Sequence, residues 1–430
     1  MGKFEEGTGI TPKQIQKEVS ERFGCEISYW KAYQAGIIAK EFVRGSADDG
    51  YSKLIPYSWI VHRTNPESKT DLNLDEEGRF LYYFLAFEAW IRGFKHMRKV
   101  IAVDGTHLKR KYGGVLLTVV AQDVENHVFP VACCVVDYKC DASWNYFFQQ
   151  LLDIVPNSLD FCIISDRHLS IKKAIRDVYT NAHHGVCTRH LCERMSGRFH
   201  NGSFEKFFYR AAKAYTSEVF YDHFSEIQRV ATNVADCLRD EVGFDKWSRA
   251  FFRGNRFEVL TSNIAESFNS MFLVEREFPI TDLFNAINTR FATKFNERRT
   301  FAKNLLKCAM PRSETRIKEN GSEVIDVEKL PCPHAIAALS KRYPDTFGDS
   351  VYNHSSAYYS ADTYYKVYEG DIVQIPHDTV KCIFVVGLLV YCPFVVYGCR
   401  DCISIALLFL YGYSVFIIVI GLFITVVGLW

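Results

Sequence analysis

The sequence predicts an α/β fold, a mixed sheet with helices on its faces, with a helical amino-terminal region and a hydrophobic carboxy-terminal tail. Three observations carry this. Between Val100 and Val186, short apolar runs, turn signals and amphipathic stretches follow one another in the order β-β-β-α-β-α-β. Residues 8–45 and 188–258 instead carry helical spacing. The chain has 430 residues, 48% hydrophobic and 23% charged, which excludes a disordered or collagen-like chain and suggests two to three domains.

Thr11-Pro12 supplies an N-cap with Pro at the first helical position; Ile15, Val19 and Phe23 follow at helical spacing, and Gly24 stops the helix. Ser28 caps a second helix running through Glu41. Within residues 1–65, two short helices about a Gly turn have the form of a helix-turn-helix. A DNA reader and a plain packing unit are both open there. Residues 66–80, polar from Asn65-Pro66 through Arg79, read as a loop or extended linker. Val100-Ile-Ala-Val-Asp104 is an apolar run ending in a carboxylate. Gly113-Gly114 separates it from a second strand, Val115–Gln122, and Asn126 turns the chain into a third, Val128–Val136. Ser143 caps a helix over Trp144–Val155, apolar along Phe147, Phe148, Leu151, Leu152 and Val155. Phe161–Asp166 is a buried strand, again ending in a carboxylate, followed by a helix at Ser170–Val178 and a short strand at Ala182–Val186.

Asp104 and Asp166 thus close two strands at the edge where chemistry collects in open α/β sheets. Residues 188–258 read mostly as helix, and their aromatic run (Phe204, Phe207, Phe208, Tyr209, Tyr215, Phe220, Tyr221, Phe224) reads as packing rather than a stacking platform. Thr261–Asn269 opens a further helix with Ser262 or Asn263 as cap, and it carries Glu266.

Two Asp and one Glu, each beside a buried element, form a candidate two-metal site for phosphoryl transfer, with divalent ions roughly 4 Å apart. Mg²⁺ or Mn²⁺ suits such oxygen ligands. By spacing alone the bland reading also stands: the chain has fifty acidic residues, and a strand-end Asp often only caps a turn. Cys187-x₂-His190, with Cys192 nearby, offers soft ligands, but structural zinc wants four. The alternative is a buried Cys and a hydrogen-bonded His. Residues 276–320 form a basic segment in which Arg290, Lys294 and Arg298 recur at i, i+4 and i+8, with Arg299 adjacent. Phosphate contact and a solvated helix face are both open there.

Longer motifs carry a resemblance. Ile101-Ala-Val-Asp-Gly-Thr-His-Leu-Lys109 with Tyr112-Gly-Gly114, then Val136-Asp137 and Asp141-Ala-Ser-Trp144, resembles the transposase domain of the plant Mutator-like elements. Ile164–Ile171 is similar to its second acidic motif, Asn181–Cys187 with His190-Leu191 to its Cys-x₂-His segment, and Ser262–Asn269 to its third acidic motif. Ile91–Lys95 and Ser28–Ala32 also fit, so the resemblance covers roughly residues 8–378.

It implies a ribonuclease-H-like core of the Asp-Asp-Glu class over residues 95–275, with a helical insertion at 188–258. The implied triad is Asp104, Asp166 and Glu266, holding Mg²⁺ or Mn²⁺. The implied partner is DNA at transposon terminal repeats, bound by a homo-oligomer acting on paired ends in the nucleus. For Cys187 and His190 the resemblance implies a role in positioning the insertion or DNA rather than in binding zinc.

Two departures stand out. Within residues 321–345, Leu330-Pro-Cys332-Pro-His334 resembles the second half of a SWIM zinc finger whose first half is absent; Cys308 lies alone, 24 residues upstream. Cys332 and His334 supply two ligands at most, so the zinc site reads as incomplete. The interval from Asn296–Arg299 to this finger is also shorter than in the family, as though a segment around 320–329 were missing.

The second departure is the tail, residues 381–430, whose only charges are Lys381, Arg400 and Asp401. Cys402–Trp430 is an uncharged run of 29 residues, enough for a span of about 20. Hydropathy reads one or two transmembrane helices, with a membrane location through residues 403–425 as the alternative to the nucleus. Residues with thymine-rich codons dominate the tail, and translated non-coding sequence after Asp378 is the competing expectation. Three classes of function therefore remain: a Mutator-like transposase, truncated or decayed; a transposase-derived DNA-binding regulator without catalysis; and a membrane protein. The three acids favour the first. The broken finger and the missing amino-terminal DNA-binding module weigh against present activity.

Overall fold

The computed structural model describes residues 11–44, 47–109, 112–305, 310–312, 330–331, 333–342, 355–375, 405–411 and 414–420. Thr11 and Gln14 exchange side-chain and backbone bonds in a capping box that starts α1 (Pro12–Phe23), and Gly24 ends it at φ 63°. Ser28 Oγ accepts from Lys31 N at 3.2 Å at the start of α2 (Tyr29–Arg44), which packs against α1. The pair leaves Phe23, Tyr29, Trp30 and Ile38 exposed. α3 (Ala47–Ser52) and α4 (Leu54–Thr64) follow, the latter burying Leu54, Tyr57, Ile60 and Val61.

Residues 66–80, expected as a loop, enter the sheet instead. β1 (Lys69–Leu74) and β2 (Phe80–Ala86) form an antiparallel hairpin. β1 is an edge strand with no buried residue, so its polar sequence carries no apolar signal although its backbone is paired. α5 (Glu88–Phe94) leads to β3 (Val100–His107), β4 (Val115–Gln122) and β5 (Val128–Val136). α6 (Asp141–Leu152) starts earlier than expected: Cys140 is the N-cap, and Ser143 sits at the third helical position, returning the bond. β6 (Cys162–Ser165), α7 (Leu169–Val178) and β7 (His183–Val186) complete the sheet.

Its order is β1-β2-β5-β4-β3-β6-β7, antiparallel from β1 to β3 and parallel from β3 to β7. The fold is thus mixed α/β around a seven-stranded sheet. All nine residues of β5 are buried, so both faces are covered at the centre.

The region after β7 is helical: α8 (Thr188–Phe199), α9 (Glu205–Lys213), α10 (Ser217–Val230), α11 (Thr232–Asp236), a π-helical turn at Cys237–Val242 and α12 (Phe244–Trp247). It has its own core, in which Phe204, Phe208, Phe220, Phe224 and Trp247 are buried and Phe208 stacks on Trp247 at 4.8 Å. The aromatic run packs there rather than presenting a platform. α13 (Asn263–Met271) and the long α14 (Ile280–Lys303) return to the main core, and a helix at Ala361–Val367 packs on α5 and α14.

Of the partial finger, Cys332, the His334 side chain, Cys308 and residues 320–329 lie outside the described residues. In the tail, where a transmembrane helix was expected, β8 (Ile405–Tyr411) and β9 (Ser414–Ile420) form a separate antiparallel hairpin. The β-branched run Ser414-Val-Phe-Ile-Ile-Val-Ile420 favours that backbone. Among the described residues no helix is long and apolar enough to cross a membrane. The remainder of 381–430 lies outside them.

Candidate active site

The strand register brings the two Asp together. β3 pairs with β6 in parallel through Val100–Cys162, Ile101–Ile163 and Ala102–Ile164. Two positions further on, Asp104 is level with Asp166, the first residue after β6, and the shared parity puts both on one face. Asp104 lies inside β3, not at its end as expected, because pairing with β4 carries the strand on to His107. Asp166 Oδ1 accepts from His168 N at 2.9 Å.

Glu266 arrives on the first turn of α13, a helix that packs across β3, β4 and β5. One turn later Asn269 Nδ2 donates to Asp104 Oδ2 at 2.9 Å, tying this helix to the first acid. Burial pushes the Asp104 carboxyl above its ordinary range. The Gly105 N–H and the Lys139 ammonium oppose the shift, while the charges of Asp166 and Glu266 add to it. The strand register and the Asn269 bond thus bring the elements that bear the three acids together.

The acids do not form a ligand set as placed. Glu266 spends its carboxylate on an ion pair with Arg189, and His190 Nε2 lies 3.3 Å from the same oxygen. Among the described residues no group of three His, Cys, Asp or Glu side chains is placed to hold a metal ion. The donor chemistry suits a hard cation, but the cation at Glu266 is a guanidinium.

Cys187 and His190 flank Arg189 at the start of α8. Buried Cys187 donates its N–H to Ser165 O at 2.7 Å, and its Sγ accepts from Ser262 N at 3.2 Å. His190 Nδ1 lies 3.5 Å from Ser262 Oγ. Ser262 is the N-cap residue of α13, yet its side chain makes no capping bond within that helix. Burial alone would push the Cys187 thiol up, but hydrogen bonds with His190 and Ser262 bring it below its ordinary value. The same bond to Cys187 holds the His190 imidazole above its own. Cys192 does not join them. It packs in the insertion core, where burial pushes its thiol up to about 12.

The candidate DNA-binding residues do not share an outer face. Arg298 is buried and donates to Val128 O at 2.9 Å and Tyr368 Oη at 3.0 Å, so phosphate contact is not available to it here. Eight positions on from Arg290, the helix has rotated into the buried stripe of Phe291, Phe295, Arg298 and Ala302. Arg290 bonds Met271 O and pairs with Glu275 at 3.0 Å, and Arg299 pairs with Asp371. Lys294 is half-buried.

Arg189, Asn269 and Lys139 received no role from the sequence. For two of them a signal was present: Arg189 lies inside the Cys-x₂-His motif, and Asn269 follows Glu266 by three positions on one helix.

Residues 100–194 match the family model described as the MULE transposase domain. The matched segment contains Asp104, Asp166, Cys187 and His190, and Glu266 lies beyond it. A search of curated proteins finds no match to the chain. A transposase domain implies DNA binding in general. The match over residues 100–194 thus supports a Mutator-like transposase in general.

Proposed function

We propose that this chain is a Mutator-like DNA transposase of the Asp-Asp-Glu class, with Asp104, Asp166 and Glu266 as its acids. What supports this is the β3–β6 register, which sets Asp104 level with Asp166, both inside the MULE-matched segment, and the bond from Asn269 to Asp104, which ties the helix bearing Glu266 to β3. A ribonuclease-H-like core is part of the proposal. Its support is the run of three antiparallel strands, β5-β4-β3, extended by the parallel strands β6 and β7.

Asp104, Asp166 and Glu266 are the residues that would hold the proposed cofactor, Mg²⁺ or Mn²⁺, and Glu266 is paired with Arg189 in this structure. Such ions activate a water or 3′-hydroxyl and stabilise the leaving oxygen in phosphoryl transfer. The chain's own residues prepare the acids. Asn269 orients Asp104, Lys139 offsets its negative charge, and Arg189 neutralises Glu266. The proposed partner is transposon terminal-repeat DNA, engaged by a homo-oligomer in the nucleus.

The test is Mg²⁺- or Mn²⁺-dependent nicking of duplex DNA by the full chain beside Asp104→Asn. That change removes a ligand charge and keeps the shape, so nicking should be lost and DNA binding kept. Equal loss of binding would argue against the metal role. DNA bound by both proteins and nicked by neither would leave a DNA-binding regulator built on the same fold.

A further inference from the structure

We propose that Cys187 and His190 are positioning residues for Glu266: the segment they define staples the helix of the third acid to the strand end of the second. The importance of Glu266 rests on the Asp-Asp-Glu reading above; the staple itself rests on contacts.

The problem the staple solves is one of distance along the chain. A hundred positions separate Asp166 from Glu266, and the helical insertion between them has its own core. Chain connectivity over that length fixes no side chain to the tolerance a reacting site needs. Local bonds must do so, and four consecutive residues supply them.

Cys187 touches both ends. Its N–H donates to Ser165 O, the carbonyl just before Asp166, at 2.7 Å. Its Sγ takes the Ser262 N–H at 3.2 Å, one of the donors that a helix start leaves without an intrahelical partner. Thr188 donates both N–H and Oγ1 to Leu260 O, at 2.9 and 3.1 Å. His190 completes the line through Arg189: its Nδ1 lies 3.5 Å from Ser262 Oγ, and its Nε2, 3.3 Å from Glu266 Oε1, accepts from Arg189 Nη2 at 2.9 Å, the guanidinium that pairs with Glu266. These bonds use the atoms a zinc ion would need, and Cys192 is turned into the insertion core.

The full chain and its Cys187→Ala, Cys187→Ser and His190→Ala variants test this. Mn²⁺ affinity is read by electron paramagnetic resonance, and zinc content by mass spectrometry. Because residues that orient ligands typically contribute 10- to 100-fold in metal affinity, Cys187→Ala and His190→Ala should each weaken Mn²⁺ binding about tenfold. Cys187→Ser, which keeps an acceptor for the Ser262 N–H, should recover most of the loss. Zinc should be absent throughout. Unchanged Mn²⁺ affinity in both alanine variants, or stoichiometric zinc that Cys187→Ala removes, would overturn the proposal.

A thermal double-mutant cycle between His190→Ala and Glu266→Ala reads the contact without any metal. Non-additive shifts in Tm support the staple, and additive shifts overturn it. If the unmodified chain binds no Mn²⁺, the Asp-Asp-Glu reading fails and this cycle alone decides the staple.

Discussion

Asp123 shows how a single carboxylate can be held ionised inside the protein. It is 3% exposed, and Oδ1 accepts from Glu125 N at 3.0 Å and His127 N at 2.7 Å. Oδ2 accepts from Tyr368 Oη at 2.8 Å and lies 3.1 Å from His127 Nδ1. Burial alone would push its carboxyl up, but the bonds and charge of His127, with the charge of Arg298, hold it below its ordinary value. A lowered native value means that ionised Asp123 stabilises the fold fully above the unfolded value near ~4, and that this is lost as pH falls through the native value. The stability difference between the unmodified chain and Asp123→Asn, read by urea unfolding, should be widest at about pH 5–7 and shrink below about pH 4. A difference that grew on acidification would contradict this account. At the same scale, Arg189 and Glu266 balance charge in a pair about one-third exposed, with side-chain exposures of 31% and 32%. No motif announced that pairing, because a charge partner 77 positions away leaves no local periodicity.

Helix α14 shows how a charge pattern misleads at the scale of an element. Spacing at i, i+4 and i+8 placed Arg290, Lys294 and Arg298 on one basic face. The helix sits deep enough to bury Arg298, whose guanidinium reaches the Asp123 network through Tyr368 Oη. Removing one partner from a buried charged network typically costs about 3–5 kcal/mol, so Arg298→Ala should destabilise by that order. Lys294→Ala, with no such network, should stay within about 0.5 kcal/mol. Urea midpoints decide it, and equal effects would mean that Arg298 is not structural. The hairpin β1–β2 misled in the opposite direction. Lys69-Thr-Asp-Leu-Asn-Leu74 is polar enough to pass for a linker, yet its backbone pairs from Lys69 opposite Ala86 to Leu74 opposite Phe80.

At the scale of the molecule the sheet and the insertion each have a core, and the Cys187–His190 segment leads from β7 into the first helix of the insertion. Trp247 is fully buried in the insertion core, packed on Phe208 and Phe220. Trp247→Ala should cost about 3–5 kcal/mol. The loss should be local: hydrogen exchange should accelerate in α9–α12 while β3–β5 stay protected. Uniform acceleration would show that the cores unfold as one.

The sequence by itself determined the strands from Val100 to Val186, the helices around Gly24 and the candidate acids. Each depends on a period, a cap or a turn that acts within a few residues. The motifs around Asp104, Asp166 and Glu266 were legible for the same reason, being short and contiguous. Only the tertiary structure decided which strands are neighbours, that Asp104 stands level with Asp166, that Asn269 reaches Asp104 across 165 positions, and that Arg298 points inward. Those outcomes depend on how whole elements pack, and packing joins residues whose separation along the chain leaves no repeating trace.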